Sequence, residues 1–458
     1  MKLRRTFAAT FAVTAAIAAA GISPVSAAST VNGGGSSFIA NLVDICSAQY
    51  NRNTLANPNT DTVSYSSVGS GTGKTNFAAG TYKFGATDSL YSSGAPANFV
   101  YVPLVAGPIG VGYRLDGVTP ANVPVQLKAE TVAKIFAGTI KTWNDAAIVA
   151  DNTAKTTPAV KSTAKSGVTA TAAKSGTKVN LKLVATAAGL KKFMGKNVVI
   201  TRTTADKKVT DVLSAKIAAS LTKSVNYSKG ALYNFKVGTT SLGSVTVDDT
   251  VVGTTLTLPA TPIIVTYRSG TSGTTNNFTD YLNKTSPIIW TKAANDSFTT
   301  AFPLTLPTDG TFQAASGSDG VANYVQGHNG AITYTELSYL DERAAGGVKS
   351  AAIQNNAGAY VVPSSAASAE FFNEAVVDEA GTVTKDYTVK SATVYMINAI
   401  AYGLGYKTAS TDNAAVKSYF SYFLNTCSPK NAAGAGYAPL SGAILAKALA
   451  QVAKVNAG

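Results

Sequence analysis

The chain has 458 residues, of which 45% are apolar and only 14% charged, and its formal net charge is +14. This composition excludes a disordered chain, and the length suits two or three domains. The single histidine, His328, argues against histidine-based metal sites and against Ser/His/Asp catalysis. We therefore expect no metal and no cofactor, and we interpret His328 as a solvated residue in a turn.

The first 27 residues have the pattern of an export signal. Lys2, Arg4 and Arg5 precede a short apolar run, and VSA at residues 25–27 is typical of a cleavage site. The run is too short for a membrane anchor, and without a cysteine at the cleavage site we expect no lipid anchor. The arginine pair fits the general export route or the twin-arginine route, with the general route favoured. We expect an exported protein of the periplasm or cell envelope, or a secreted one.

The positive charge is concentrated in one segment. Residues 151–260 contain 16 Lys or Arg and 5 Asp or Glu, a net charge of +11, and the signal carries +3. The remainder of the chain is therefore neutral overall. We infer a neutral protein that carries a basic insert, and we do not expect nucleic acid as a partner.

The predicted elements before and after this segment are those of an α/β protein. Residues 31–148 alternate short strands with helices, and the same pattern resumes at Pro262. A first helix is predicted by the spacing of Phe38, Leu42, Ile45 and Cys46, and residues 131–143 predict another helix followed by a turn.

Between these two parts, we interpret residues 151–259 as an inserted, mostly β module. Residues 151–176 are rich in Ser, Thr, Lys and Ala and are typical of a linker. Strand-like alternation follows at residues 179–183, 233–237, 245–247 and 256–258. Residues 212–221 carry the spacing of one helix.

Three glycine-rich turns lead into predicted helices. They are GGGSSF at residues 33–38, GSGTGKT at residues 69–75 and RSGTSGT at residues 268–274. Glycine lets the backbone approach a ligand, and a helix start presents unpaired N–H groups at its positive end. Together with Ser and Thr hydroxyls and the guanidinium of Arg268, the turns indicate an oxyanion site. Each turn alone also fits an ordinary helix cap.

The GKT at residues 73–75 resembles the end of a nucleotide-binding P-loop. That motif needs a glycine five residues before Gly73, where this chain has Val68. We therefore reject a nucleotide site at this turn.

Further motifs make the chain similar to the phosphate-binding receptors of ABC phosphate importers. Besides the glycine turns, these are SSVGSG (66–71), FGATD (84–88), IFAGTIKTWND (135–145), FTDYL (278–282), GAITY (330–334) and YAPL (437–440). They occur in the family's order and cover the chain outside the insert. The resemblance implies an α/β, two-lobed type II periplasmic-binding fold. Lobe one would hold residues 28–104 and 386–458, and lobe two residues 105–150 and 260–385.

The resemblance also implies a phosphate site in the cleft between the lobes. Lobe one would supply Ser37, Phe38 (through its backbone N–H), Ser70 and Asp88. Lobe two would supply Arg268, Ser272, Gly273 and Thr274. Cys46 and Cys427 would share a lobe, and an even cysteine count in an exported protein suggests a disulfide, with two free buried thiols as the alternative.

Asp88 is informative because a carboxylate in an anion site needs a reason. Phosphate near neutral pH carries an O–H that can donate to Asp88, whereas sulfate carries none and would be rejected. The alternative is an acid in the turn after a strand.

One departure from the family pattern concerns Arg268. Many relatives have an acid two residues later, where this chain has Gly270, so affinity or anion preference is expected to differ.

These features predict a solute-binding protein, not an enzyme, that captures inorganic phosphate and delivers it to the membrane subunits of an ABC importer. The alternatives are a receptor for another protonated oxyanion such as arsenate, a phosphatase, and a surface adhesin on the same scaffold. A phosphatase would need a metal cluster or an activated nucleophile.

For the insert we hypothesise contact with an anionic envelope polymer or lipid surface. The alternative is that its lysines only maintain solubility.

Overall fold

The computed structural model describes residues 28–157, 160–248, 250–373 and 375–458. The predicted export signal lies outside the described residues. The chain forms two compact units. The main unit comprises the described part of Met1–Gly117 together with Pro124–Asp145 and Pro259–Gly458, and the inserted unit comprises Val118–Val123 and Ala146–Leu258. Within the described part of the chain, no helix is both long and apolar enough to span a bilayer.

The first part of the main unit alternates strands and helices. In chain order these are β1 (Thr30–Gly35), α1 (Ala40–Tyr50), β2 (Thr62–Ser67), α2 (Ser70–Ala78), β3 (Phe84–Thr87), β4 (Phe99–Arg114), β5 (Gln126–Leu127) and α3 (Ala129–Phe136). The helices predicted after the first glycine run and near residue 131 are α1 and α3.

The inserted unit is almost entirely β-structure. It contains α4 (Ala146–Asp151), β6 (Lys155–Thr157), β7 (Val160–Lys165), β8 (Val168–Ser175), β9 (Lys178–Ala185), α5 (Ala187–Lys192), β10 (Asn197–Thr203), β11 (Val209–Lys216), β12 (Ser220–Asn226), β13 (Leu232–Val237), β14 (Thr240–Thr246) and β15 (Thr250–Val252).

The second part of the main unit again alternates strands and helices. It contains β16 (Ile264–Arg268), α6 (Gly273–Thr285), α7 (Phe298–Ala301), β17 (Phe312–Ala315), α8 (Gly317–Gly327), β18 (Ala331–Glu336), α9 (Leu337–Asp341), β19 (Val348–Ser350), β20 (Ala352–Gln354), β21 (Tyr360–Val361), α10 (Ser365–Phe372), β22 (Val376–Val377), β23 (Val383–Thr384), β24 (Asn398–Tyr406), α11 (Thr411–Tyr422), α12 (Ser428–Asn431) and α13 (Gly442–Lys454).

The main sheet joins two parallel strand groups through a pair of long antiparallel strands. Its order is β17-β16-β18-β4-β24-β3-β1-β2, with β19 also paired to β4. We call β2-β1-β3 the first strand group and β17-β16-β18 the second, and both are parallel. The 16-residue β4 pairs with β24 along its first part and with β18 along its last. The two groups therefore share one sheet.

The inserted unit is a β-sandwich. Two antiparallel four-stranded sheets have the orders β12-β9-β8-β7 and β11-β10-β13-β14. Alternate residues of β9 are buried, among them Leu181 and Leu183, and they share one hydrophobic core with Tyr233 and Phe235 of β13. Period-2 alternation with one face buried is what a sandwich requires. The predicted mostly-β character is confirmed.

Three expectations for this unit were wrong in detail. The linker-like tract forms β6, β7 and β8, because small and β-branched residues such as Val168 and Ala170 alternate into the core. Residues 212–221 form no helix but the end of β11 and the start of β12, since pairing with β10 and β9 outweighs local spacing. Leu256 and Leu258 are buried but flank a single bridge from Thr257 to Thr119 instead of lying in a strand.

Cys46 in α1 and Cys427, in a π-helical turn after α11, form a disulfide. Both cysteines are fully buried in the main unit. The predicted bridge is confirmed, and neither cysteine is free.

Candidate functional site

Two groups of three parallel strands in the main unit lead to one set of buried polar residues. Three strands of the first group end at Gly35, Ser67 and Thr87. Three strands of the second group end at Arg268, Ala315 and Glu336. The carboxyl ends of parallel strands, followed by helix starts, are where α/β proteins place ligands.

Asp88, directly after β3, is the acceptor of the site. Its side chain is buried, and both carboxylate oxygens accept from the Ser36 hydroxyl at 2.6 Å. The Ser70 hydroxyl, at the start of α2, lies 3.2 Å from Oδ2 and from the backbone nitrogen of Asp88. Two hydroxyls therefore fix the orientation of this carboxylate.

Burial raises the pKa of Asp88 from 3.8 to about 7. The negative charge of Glu336 acts in the same direction, whereas the hydrogen bonds from Ser36 and Ser70 and the charge of Arg268 oppose the rise in pKa. A carboxyl group with this pKa can accept or donate a proton near neutral pH.

Arg268, the last residue of β16, is the cation of the site. It is 4% exposed, and its Nη1 donates to the Ser318 hydroxyl at 3.2 Å. Its Nε is buried without a hydrogen-bond partner. Among the residues that the structure describes, no carboxylate forms a salt bridge with Arg268. A buried guanidinium with unused donors is matched by an anion.

The start of α6 adds further donors. Ser272 is the N-cap, and its hydroxyl accepts from the backbone N–H of Thr275 at 3.3 Å. The Thr274 hydroxyl donates to Glu336 at 2.8 Å. The first N–H groups of a helix lack intrahelical partners, so those of Gly273 and Thr274 are free of the helix ladder. They form the positive end of the helix dipole.

The two strand groups meet closely at this site. A Cβ at Gly273 would lie 2.7 Å from both Asp88 Cβ and Ser70 Oγ, so only glycine permits this approach. The hydroxyls of Ser37 and Ser318 lie 2.7 Å apart and link the end of β1 to the start of α8.

The backbone N–H of Phe38 is already engaged in this arrangement. It donates to the Ser36 hydroxyl at 3.0 Å, while the Phe38 carbonyl accepts from Tyr437 at 2.6 Å. All eight residues that the sequence nominated are buried, and they lie at the ends of β1, β2, β3 and β16.

Several donors around one acceptor can bind a tetrahedral oxyanion that carries a proton. Within the described ranges, no group of three or more His, Cys, Asp or Glu residues is arranged to hold a metal ion.

Comparison with known proteins places the chain in a family. A model of the PBP superfamily domain matches residues 22–257. The chain belongs to the PBP superfamily. The phosphate-binding protein PstS of Xylella fastidiosa is 25% identical over 361 residues, which cover 78% of this chain and 65% of that protein. The phosphate-binding protein PstS 3 of Mycobacterium leprae is 37% identical over 106 residues, which cover 21% of this chain and 28% of the relative.

A solved structure shares the fold of this PBP superfamily member. It is a high affinity periplasmic phosphate-binding protein, PfluDING, bound with phosphate. The match has a TM-score of 0.54 and 18% identity and covers 92% of this chain and 93% of that one. The predicted α/β, two-lobed periplasmic-binding fold with an inserted β module is confirmed.

Three residues of the site were missed from the sequence: Ser36, Ser318 and Glu336. Ser36, not its nominated neighbour Ser37, holds Asp88. Ser318 lies in ASGSDG at residues 315–320, a fourth glycine-containing turn before a helix. That turn was a signal for Ser318. For Glu336, the signal was the rule that ligands bind where parallel strands end.

Aromatic residues of the sequence motifs pack beneath the end of β16 and the start of α6. Phe278 stacks on Tyr334 with centroids 4.4 Å apart, and Phe136 packs edge-on against Phe278. The Tyr334 hydroxyl lies 2.8 Å from Thr275 Oγ1 and accepts from the Arg268 backbone N–H. These contacts hold the ends of β16 and α6 in place.

Lys74, the lysine of the rejected P-loop, has a structural partner. Its ammonium pairs with Asp296 at 2.9 Å and donates to the Ser89 hydroxyl at 3.0 Å. Asp296 also accepts from Asn276. This cluster joins α2 to α6 beside Asp88, which accounts for Lys74 without a nucleotide.

Proposed function

We propose that this protein is an exported receptor that captures inorganic phosphate and delivers it to the membrane subunits of an ABC phosphate importer. The observation that carries the proposal is that one site contains a buried proton acceptor, Asp88, and a buried guanidinium, Arg268, that forms no salt bridge with any described carboxylate. Phosphate offers both an O–H for the acceptor and oxygens for the cation. The proposal makes the chain a binding protein and not an enzyme.

The proposed phosphate ligands are those nominated from the sequence. They are Ser37, Phe38, Ser70, Asp88, Arg268, Ser272, Gly273 and Thr274. All of them are buried, and Ser70 and Gly273 lie against Asp88, which supports this set. We further propose that residues 28–104 and 386–458 form lobe one and residues 105–150 and 260–385 form lobe two, with the ligand between them.

The relatives support the choice of phosphate and of the compartment. The matched proteins are named phosphate-binding proteins, and PfluDING is described as periplasmic. Because the match spans less than two thirds of the Xylella protein, the importer partner remains part of the proposal. The predicted export signal and expected absence of a lipid anchor fit a protein of the periplasm or cell envelope.

For the inserted unit we propose contact with an anionic polymer or lipid surface of the envelope. Its net charge of +11 supports an electrostatic role. The proposal is independent of phosphate capture, since the nominated phosphate ligands all belong to the main unit.

Calorimetry of the mature chain, residues 28–458, tests the main proposal. We expect tight binding of phosphate, binding of arsenate because it is also protonated, and no binding of sulfate or molybdate. A chain that binds sulfate as well as phosphate, or that hydrolyses a phosphate ester, would contradict the proposal. Hydrolysis would favour the phosphatase alternative.

A further inference from the structure

The connections of the inserted β-sandwich lie at two opposite ends. The chain enters through β6 and leaves through β15, and these strands pair with each other. The start of β7 and the end of β14 lie at this entry end, as do the turns at residues 176–177 and 204–208. The other end we call the distal tip, and it consists of residues 165–167, 186–197, 216–219 and 238–239.

The four segments of the distal tip are held together by backbone hydrogen bonds. Thr186 N–H donates to the Gly167 carbonyl at 2.9 Å, and Ile217 N–H donates to the Lys196 carbonyl at 3.0 Å. Gly238 N–H donates to the Asn197 carbonyl at 2.8 Å. The tip is therefore one continuous surface.

Five exposed lysines and no acidic residue occupy this surface. The lysines are Lys165, Lys191, Lys192, Lys196 and Lys216. The Lys192 ammonium donates to Ser166 Oγ at 2.8 Å and that of Lys216 to the Gly195 carbonyl at 2.9 Å, so neutral oxygens accept from both. In contrast, Asp206 and Asp248 lie at the entry end. The positive charge of the tip is locally uncompensated.

One large apolar side chain projects from the same surface. Met194 is 76% exposed and lies in the sequence KKFMGK, between Lys192 and Lys196. Its neighbour Phe193 is 5% exposed and belongs to the sandwich core, with Leu190 packed against it. The core thus fixes the loop that displays Met194.

We propose that the distal tip docks on a bilayer that contains anionic phospholipid, with its lysines at the headgroup phosphates and Met194 inserted among the acyl chains. Lysines flanking an exposed apolar residue match the interface of a bilayer, which offers anionic charge and a hydrocarbon layer together. A soluble polyanion would use the lysines but leave Met194 in water. This inference rests on the proposed envelope contact of the inserted unit and not on phosphate capture.

Sedimentation of the mature chain with vesicles tests the inference. The vesicles contain phosphatidylcholine alone, or phosphatidylcholine with phosphatidylglycerol, at low and high salt. The test variants are Lys191→Gln/Lys192→Gln and Met194→Ser. Lys207→Gln/Lys208→Gln is the matched control, since it removes the same charge from adjacent lysines at the entry end. Phosphate titration of each variant checks the main unit separately.

We expect the chain to bind the anionic vesicles and not the neutral ones, and we expect high salt to weaken this binding. Each lysine near an anionic surface contributes about fivefold to partitioning, so Lys191→Gln/Lys192→Gln should partition about 25-fold less than the parent. The control, Lys207→Gln/Lys208→Gln, should lose much less. Met194→Ser should lose about fivefold in partitioning, because an apolar side chain is no longer transferred from water to the acyl chains. Absence of binding, equal losses in both double variants, or a Met194→Ser variant that binds the anionic vesicles as well as the parent does would overturn the inference. In each case an unchanged phosphate affinity would leave the proposed phosphate capture intact.

Discussion

The two units of this protein place their charges in opposite environments. In the main unit, the side chains of Asp88, Arg268 and Glu336 are each at most 4% exposed and form hydrogen bonds with hydroxyl groups. In the inserted unit, the lysines of the distal tip are exposed, and none of them pairs with a carboxylate among the described residues.

This contrast predicts two kinds of binding. A buried charge acts over a short range in a low dielectric, so its effect is large, specific and weakly dependent on salt. An exposed charge is screened within about 10 Å at moderate salt, so many must act together. Substitutions in the two units should therefore differ in magnitude and in their response to salt.

Arg268→Ala should produce the largest effect. Removing the guanidinium from a desolvated site should weaken phosphate binding by about 2–4 kcal/mol. The matched control is Arg202→Ala in the inserted unit, which should leave the phosphate affinity unchanged. Calorimetry at two salt concentrations measures both variants. A loss in Arg268→Ala that is smaller than threefold would contradict the assignment.

Asp88→Asn should change selectivity more than affinity. The amide still accepts a phosphate O–H through its oxygen and now offers an N–H to sulfate, so the preference for phosphate over sulfate should fall by about 1–3 kcal/mol. Asp412→Asn, a partly exposed carboxylate of the same unit paired with Lys83, is the control. Equal selectivity in parent and variant would remove Asp88 from its proposed role.

The raised pKa of Asp88 adds a pH dependence to this prediction. Because its pKa rises from 3.8 to about 7 on folding, the folded chain binds the extra proton between pH values of about 4 and 7. The ligand-free stability from this group is therefore present at low pH and is lost as pH rises through about 7. As pH rises towards about 7, the melting temperature of the parent should fall relative to that of Asp88→Asn, because the amide does not titrate. Parallel curves would show that the pKa of Asp88 is not raised.

Ser318→Ala should have a smaller effect on binding. Its hydroxyl is fully buried and contacts both Ser37 and Arg268. Because position 270 is glycine and not an acid, Ser318 is a side chain that can restrain Arg268. Losing it should weaken phosphate binding by about 1 kcal/mol, because Arg268 becomes less restrained. Ser316→Ala, the exposed N-cap of the same helix without a side-chain cap bond, is the control. Equal affinities in the two variants would assign Ser318 a packing role only.

The sequence predicted the parts of the site that lie in distinctive local motifs. Asp88 in FGATD and Arg268 in RSGTSGT were nominated because their neighbours match the family pattern. Ser318 and Glu336 were missed because their roles depend on which strands lie side by side, which local sequence does not reveal. The same reason explains residues 212–221: the spacing of Val212, Ile217 and Leu221 fits a helix, and pairing with distant strands decides otherwise.

Deleting residues 152–258 should produce the smallest effect on phosphate binding. The main unit holds both sides of the insertion without help from the insert, since Trp143 N–H donates to the Thr261 carbonyl and Ile263 N–H to the Lys141 carbonyl. Two short segments that flank the deletion, residues 141–143 and 261–263, are thus joined by hydrogen bonds within the main unit, and a short linker can replace the deleted residues. Calorimetry of the mature chain with and without these residues should give phosphate affinities within about 0.5 kcal/mol, as expected for independent sites. A larger loss would mean that the two units are coupled, and the separation of buried from exposed charge would no longer describe how the protein binds its ligands.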